Sequence, residues 1–309
     1  MFRCIPDVLG YLFLFLRLNA EAAFSLRQTY SALCAVARDE NKYVHEWVKY
    51  HKCLGIGTIY LYDHGSAVSL KGVVQDYVTE GFVQYIDFNG THTKWKPSDG
   101  FADNLSKFSA TIQGQAYHNC LQQHSTQHTF MGFIDIDEFI VLYDKQLQSI
   151  DDLLKRYETF GGVSFYWRLL GSNGHVNSPS DSVIKAYQRC VPLNNSQNTQ
   201  FKSFVNTAFK PTMYSPHRAS FQLEASTSYL VDENAVKIAS GRNKRSSHMK
   251  ASVYHYATKS KQDFAAKGRR GGGAGVTRPI SFLNRLDRAC TETCSEALEL
   301  HDRLCTINT

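Results

Sequence analysis

The sequence predicts an α/β fold, a mostly parallel central sheet flanked by helices, and three observations carry the prediction. Short runs of apolar, β-branched and aromatic residues at 33–37, 58–62, 82–86 and 130–134 alternate with stretches of helical spacing. Three of those runs stop abruptly in polar residues: Arg38-Asp39-Glu40-Asn41, Asp63-His64-Gly65-Ser66 and Asp135-Ile136-Asp137-Glu138. The chain of 309 residues is 43% hydrophobic and 13% aromatic, enough to bury a full core. Strand and helix in this rhythm argue for a parallel sheet with both faces covered.

In chain order, the first strand at 33–37 runs into a polar turn. Val44, Trp47, Val48 and His51 then recur at helical spacing through Leu54, where Gly55 and Gly57 stop the helix. The strand at 58–62 follows, then a helix over 73–78, then, after Gly81, the strand at 82–86. A long helix over 109–124 precedes the strand at 130–134, and 162–167 reads as another strand. Phe282, Leu286, Leu300 and Leu304, with charges between them, predict one amphipathic C-terminal helix over 281–305. Three segments result: an apolar N-terminal segment at 1–29, a domain at 30–275 and a helical tail at 276–309.

The apolar N-terminal stretch, 8–16 with Gly10 inside it, is well short of the roughly 18–20 residues that span a bilayer. It resembles a signal-peptide core, with Ala20-Glu21-Ala22 as a cleavage site, or a degenerate anchor. The expectation is therefore the secretory pathway, with membrane association through the N terminus. Asn89-Gly90-Thr91, Asn104-Leu105-Ser106 and Asn194-Asn195-Ser196 fit the glycosylation pattern. Eight cysteines are spread thinly along the chain. Cys34, inside an apolar run, reads as a small core residue rather than half of a bridge. Cys290, Cys294, His301 and Cys305 would share one face of the C-terminal helix, but one straight helix cannot wrap four ligands around zinc. An apolar stripe, or pairing with cysteines elsewhere in an oxidising lumen, is the better reading.

The chemistry points to Asp135 and Asp137. In an extended chain they lie on one face and Ile136 on the other. Two carboxylates aimed the same way repel unless a cation sits between them, and Mg²⁺ or Mn²⁺ carrying a phosphorylated substrate suits few protein ligands. Ligands of parallel sheets bind beyond the carboxyl ends of the strands, where Arg38, Asp63 and Asp135 all stand. A net charge of +6 favours anionic ligands but falls short of a nucleic-acid-binding signature. The chain has no Gly-x4-Gly-Lys-Ser/Thr loop, which argues against a P-loop phosphotransferase.

Several spaced motifs then resemble one family. Cys34-Ala-Val-Ala-Arg-Asp-Glu-Asn, His45-Glu46-Trp47-Val48-x-Tyr50-His51, Leu54-Gly55-Ile56 and Tyr60-Leu61-Tyr62-Asp63-x-Gly65-Ser66 are similar to glycosyltransferase family 92, a group of GT-A-fold sugar transferases. The similarity continues through Gln115-x3-Asn119-Cys120, Ile134-Asp135-Ile136-Asp137-Glu138-Phe139, Trp167-x2-Leu-x-Gly171-Ser172-x-Gly174-His175 and His217. It ends at His255-Tyr256-x3-Ser260-x3-Phe264-x2-Lys267-x2-Arg270-Gly271, covering roughly 31–272. The resemblance implies the Rossmann-like GT-A fold and metal-dependent, inverting transfer of a hexosyl group, galactose being the first to test, from a UDP-sugar donor to a glycan acceptor in the Golgi.

The same resemblance implies roles. Asp137 becomes the principal ligand to Mn²⁺ or Mg²⁺, Asp135 stands beside it toward metal or ribose, and His255 completes the metal shell. Arg38 meets the diphosphate or base, Asp63 the uracil or ribose, and Gln115 and Asn119 the donor sugar. Trp167 suits an acceptor sugar, with His175 and His217 in the same group. Lys259, Lys261, Lys267, Arg269 and Arg270 are placed to stabilise the departing diphosphate, on a loop loosened by glycines 271–273. Glu224, Asp232, Glu233 and Glu138 are candidates for the base, and none is preferred. A catalytically silent relative that binds glycan or nucleotide is the alternative.

Overall fold

A computed structural model describes residues 29–90, 101–238, 246–271 and 277–305. Strands β1 (Ser31–Ala37), β2 (Thr58–Asp63), β3 (Val83–Asp87) and β4 (Phe130–Phe133) pair in parallel in the order β3-β2-β1-β4. This is the 3-2-1-4 half of a doubly wound nucleotide-binding sheet, so the Rossmann-like expectation holds on topology. Helix α1 (Val44–Cys53) covers one face, burying Val44, Trp47, Val48, Tyr50 and His51. It ends at Gly55, whose φ of +87° is the left-handed conformation that glycine adopts without cost. Short helix α2 (Gln75–Thr79) joins β2 to β3, and α3 (Phe101–Ser109) leads into α4 (Ile112–His124) on the opposite face.

The second half of the sheet is mixed. β5 (Glu138–Leu142), β6 (Gly162–Leu169), β8 (Phe201–Asn206) and β12 (Ala251–His255) extend it in the order β4-β8-β6-β12-β5. Between them run α5 (Ile150–Leu154), α6 (Val183–Ala186), β7 (Arg189–Cys190), the β9–β10 hairpin (Pro211–Met213, Ala219–Phe221) and β11 (Leu230–Val231). β8 is antiparallel to both β4 and β6, and β5 is antiparallel to β12, whereas β12 and β11 run parallel to β6. The expected mostly parallel sheet is thus a mixed one. Only 134–137 separate β4 from β5. The five Cα steps from Phe133 to Glu138 reach at most about 18 Å, less than the roughly 19 Å that four strand spacings would span in a flat sheet. The sheet must curl, and Asp135 and Asp137 sit in the connection that closes the curl.

The C-terminal expectation is corrected. Residues 281–305 form two helices, α8 (Ile280–Ala289) and α9 (Glu296–Cys305), following α7 (Lys261–Arg270) and split by β13 (Glu292–Thr293), which pairs with β7. Leu286, Leu300 and Leu304 join the same core cluster as Val48, Phe139 and Tyr254, so these helices pack on the sheet. The Cys290, Cys294, His301 and Cys305 positions therefore never share a helix face. The Cys34 expectation is also wrong: Cys34 of β1 is bridged to Cys120 of α4, with a Cα separation of 6.5 Å. Cys53 pairs with Cys305 and Cys190 with Cys294, tying the last two elements to the domain, while Cys290 is a buried thiol. Residues 1–28 and Gly272 and Gly273, which carried the leader and loop expectations, lie outside the described residues. Among the described residues no helix is long and apolar enough to cross a membrane.

Two histidines of the core set a pH dependence. His51 and His128 are fully buried, and burial pushes their imidazoles down to about 3 and about 4. Their folded values lie below the unfolded 6.5, so the native state binds fewer protons. The stability they contribute is complete above about pH 6.5 and is lost as pH falls toward the folded values, at about 1.4 kcal/mol per pH unit for each. Urea unfolding should show a markedly lower midpoint at pH 5 than at pH 7.5, with a shallower loss in His51→Gln. Equal midpoints at the two pH values would contradict this.

Candidate active site

The acidic connection is held by buried cations. Asp135 accepts from Gln113 Nε2 at 2.7 Å and from Lys202 Nζ at 3.0 Å. Lys202 is the second residue of β8 and is 1% exposed, with Glu138 Oε2 at 3.3 Å as its second partner. A buried ammonium between two carboxylates is the arrangement that lets all three tolerate low dielectric. Asp137 is 4% exposed and its Oδ2 pairs with Lys267 Nζ of α7. Burial works to raise the Asp137 carboxyl, but Lys267 and His255 outweigh it and hold the group well below the usual carboxylate range. Glu138 opens β5 and is fully buried, and its carboxyl meets Lys202 and faces the same His255 ring as Asp137. Burial pushes its carboxyl up to about 8 against the pull of Lys202.

β12 supplies the next component. It lies between β5 and β6, with His255 opposite Glu138 on one side and Leu169 on the other. That register sets His255 Nε2 3.6 Å from Asp137 Oδ2. Burial pushes the His255 imidazole down to about 4, so the ring is neutral and one nitrogen keeps its lone pair. Its Nδ1 and Glu138 Oε1 face each other at 3.9 Å, and neither has a hydrogen-bond partner among the described residues. A proton on Nδ1, directed at Glu138, leaves Nε2 free to bind a metal beside Asp137, the carboxylate–histidine–metal pattern. The donor set fits a hard divalent cation with two protein ligands and the remainder from phosphate oxygens. Among the described residues no group of three or more His, Cys, Asp or Glu converges on one point. Asp135, with both oxygens engaged, is not a third member in this arrangement.

These groups open into a cleft of about 340 Å³. Its floor is the β1 end (Val36, Ala37, Arg38) with Asp135, Asp137 and His255, and its walls include Gln113, Trp167, His217, Lys267, Arg270 and Arg278. Trp167 is 7% exposed and packs between two histidine rings, His255 at 4.3 Å and His217 at 5.4 Å between centroids. His217 Nδ1 donates to the Phe201 carbonyl at 2.7 Å. Arg270 binds the Glu40 carboxylate and the Asp39 carbonyl, which fixes α7 against the end of β1.

Of the residues expected at the site, Arg38, Asp135, Asp137, Trp167, His217, His255, Lys267 and Arg270 line the cleft, and Lys259, Lys261 and Arg269 do not. Four others are also spent elsewhere. Asp63 accepts from Ser66 N and Oγ, Leu70 N and Tyr85 OH, so its carboxylate is spent on its own loop. Asn119 Oδ1 accepts from Tyr62 OH at 2.8 Å, and Gln115 donates to the Ala110 carbonyl at 3.1 Å. His175 binds the Ala186 carbonyl and packs on Tyr187. The candidate bases fare no better. Glu233 accepts from Ser247 Oγ and the Met249, Lys250 and Ala251 amides, Asp232 caps the turn at 234–236, and Glu224 is exposed away from the cleft. Sequence reasoning missed Gln113, Lys202 and Arg278. Lys202 had a signal, a lone cation in the run Phe201-Lys-Ser-Phe-Val that must find a carboxylate if buried.

The family model for glycosyltransferase family 92 matches residues 31–267. This chain belongs to glycosyltransferase family 92. The match includes Asp135, Asp137, His255 and Lys267, and ends inside α7. A family 92 protein of Ricinus communis is 22% identical over 163 residues, half of this chain and 25% of its own length. One of Oryza sativa subsp. japonica is 22% identical over 158 residues, half of this chain and 24% of its own. The matched part is thus about a quarter of those curated relatives. Among solved structures, S. aureus TarS 1–349 aligns over 90% of this chain and 73% of its own, at 12% identity and a TM-score of 0.36. Its complex with UDP aligns over 58% and 47%, at 15% identity and 0.34.

Proposed function

We propose that this family 92 chain is a metal-dependent glycosyltransferase. It would move a hexosyl group, with galactosyl the first to test, from a UDP-sugar to a glycan hydroxyl with inversion. The observation that carries the reading is the Asp137–His255 pair, 3.6 Å apart, at the floor of a cleft also lined by Arg38, Lys267, Arg270 and Arg278. An anion with several charged oxygens is the ligand such a lining favours.

In the proposed reaction the acceptor oxygen forms a bond to the anomeric carbon as the bond from that carbon to the diphosphate oxygen breaks. UDP departs with the electron pair and the acceptor proton passes to a base. Asp137 and His255 would hold Mn²⁺ or Mg²⁺, which when bound neutralises charge developing on the leaving diphosphate. Lys267 and Arg278 would bind diphosphate oxygens, and Arg38, at the β1 end, the nucleotide side. Lys202 and Gln113 fix Asp135, so that Gln113 and Asp135 present a rigid polar edge to the ligand. Among the described cleft residues the carboxylates are Glu40, Asp135 and Asp137, and of these Glu40 is bound to Arg270.

A screen of UDP-sugars for UDP release, with Mn²⁺ and with EDTA, tests the reading. Release that needs both Mn²⁺ and an acceptor glycan is expected. Undiminished release in EDTA would remove the metal, and no turnover of any donor would favour the catalytically silent, glycan- or nucleotide-binding alternative. Three disulfides support a lumenal setting in the secretory pathway, proposed as the Golgi. Asn194 is exposed, so a mass loss on endoglycosidase treatment that disappears in Asn194→Gln is expected of the secreted or organelle-resident protein.

A further inference from the structure

Lys267 stands where the cation is expected. Its ammonium pairs with Asp137 Oδ2, the same oxygen that faces His255 Nε2. We propose that Lys267 and the divalent cation compete for Asp137, and that the cation displaces the lysine onto the diphosphate of the donor. The inference rests on the metal-dependent reading above and adds a coupling between the two ligands.

Three features support it. One carboxylate oxygen can satisfy an ammonium or a dication, but not both at close range, because the two positive charges repel. Mobility is unequal. The side chains of Asp137 and His255 are each 5% exposed, whereas that of Lys267 is 36% exposed and borders the cleft, so the lysine is the group able to leave. Lastly, α7 does not depend on the Lys267 contact for its position. Ser260 and Asp263 form a capping box at its start, Ser178 Oγ donates to Asp263 at 2.5 Å, Phe264 is buried, and Arg270 is tied to Glu40. Displacement is therefore a rotation of one long side chain on a fixed helix.

Lys202 makes the contrast. It is 1% exposed and shared between Asp135 and Glu138, with nowhere to go. One lysine thus stays with the acidic connection and the other can be released. A released Lys267 stays on the cleft face of α7 with Arg270, one helical turn away, and meets the diphosphate there. Each ligand then eases the binding of the other, since the cation frees the ammonium and the diphosphate gives it a new partner.

The test is Mn²⁺ binding to the full chain by electron paramagnetic resonance titration, with and without UDP. Without UDP, Lys267→Met is expected to bind Mn²⁺ roughly five- to tenfold more tightly than the native chain, the equivalent of no longer breaking one partly exposed ion pair. The enhancement of Mn²⁺ affinity by UDP should shrink by a similar factor. Lys155→Met, which removes an exposed charge paired with Asp152 and outside the cleft, should leave Mn²⁺ affinity within about twofold. An unchanged or weaker Mn²⁺ affinity in a folded Lys267→Met would overturn the proposal, as would equal gains in both variants. Absence of Mn²⁺ binding in native and variant chains would also overturn it. The transfer reading would be judged separately, by UDP-sugar turnover in EDTA.

Discussion

Asp137→Ala is expected to lower sugar transfer about a thousandfold or more while the fold persists. The rate loss follows from geometry, because Asp137 Oδ2 is the carboxylate oxygen that faces His255 Nε2 across 3.6 Å. Persistence of the fold follows from what the substitution leaves behind. Lys267 is more than a third exposed and can return to water, and His255 is neutral, so no uncompensated charge stays buried. The check is kcat/KM for UDP release with Mn²⁺, alongside a thermal midpoint within a few degrees of the native chain. A variant that turns over normally would show that the cleft floor is not the reacting centre.

Glu233→Ala should behave in the opposite way, with a large loss of stability and little change in chemistry per folded molecule. The Glu233 carboxylate is 1% exposed and accepts from the Met249, Lys250 and Ala251 amides and from Ser247. These amides lead into β12, the strand that delivers His255. Removing a charged acceptor from several buried donors costs about 2–4 kcal/mol. Urea unfolding measures that loss, and kcat corrected for the folded fraction measures the chemistry. A stable variant with its rate abolished would return Glu233 to the list of bases.

These two residues show what a linear reading resolves and what it does not. The strand ends were readable, because buried parallel strands are apolar runs with abrupt polar ends, and Arg38 and Asp135 did reach the cleft from such ends. The same rule also selected Asp63, and there it failed. A carboxylate at a strand end serves equally well to tie its own loop, and Ser66, Leu70 and Tyr85 saturate this one. Helical spacing placed Gln115 and Asn119 on one face, but the residue that touches the acidic pair is Gln113, two positions earlier. Periodicity groups residues by face without saying which face looks at the site. The cysteines failed for a related reason. An apolar run makes Cys34 look like packing, and nothing local reveals that Cys120, 86 positions later, lies across from it.

By itself the sequence determined the α/β alternation, the parallel first half of the sheet and the family. These depend on periodicities of two and 3.6 residues and on spaced motifs, all of which are local. Only the tertiary structure decided that Lys202 is locked in place while Lys267 is not, and that 135–137 form a turn, closed by Glu138 N on the Asp135 carbonyl, rather than the extended run expected. It also decided which carboxylates are already spent on hydrogen bonds. Those outcomes depend on strand register, the curl of the sheet and the burial of single charges, where segments more than a hundred residues apart share one small volume.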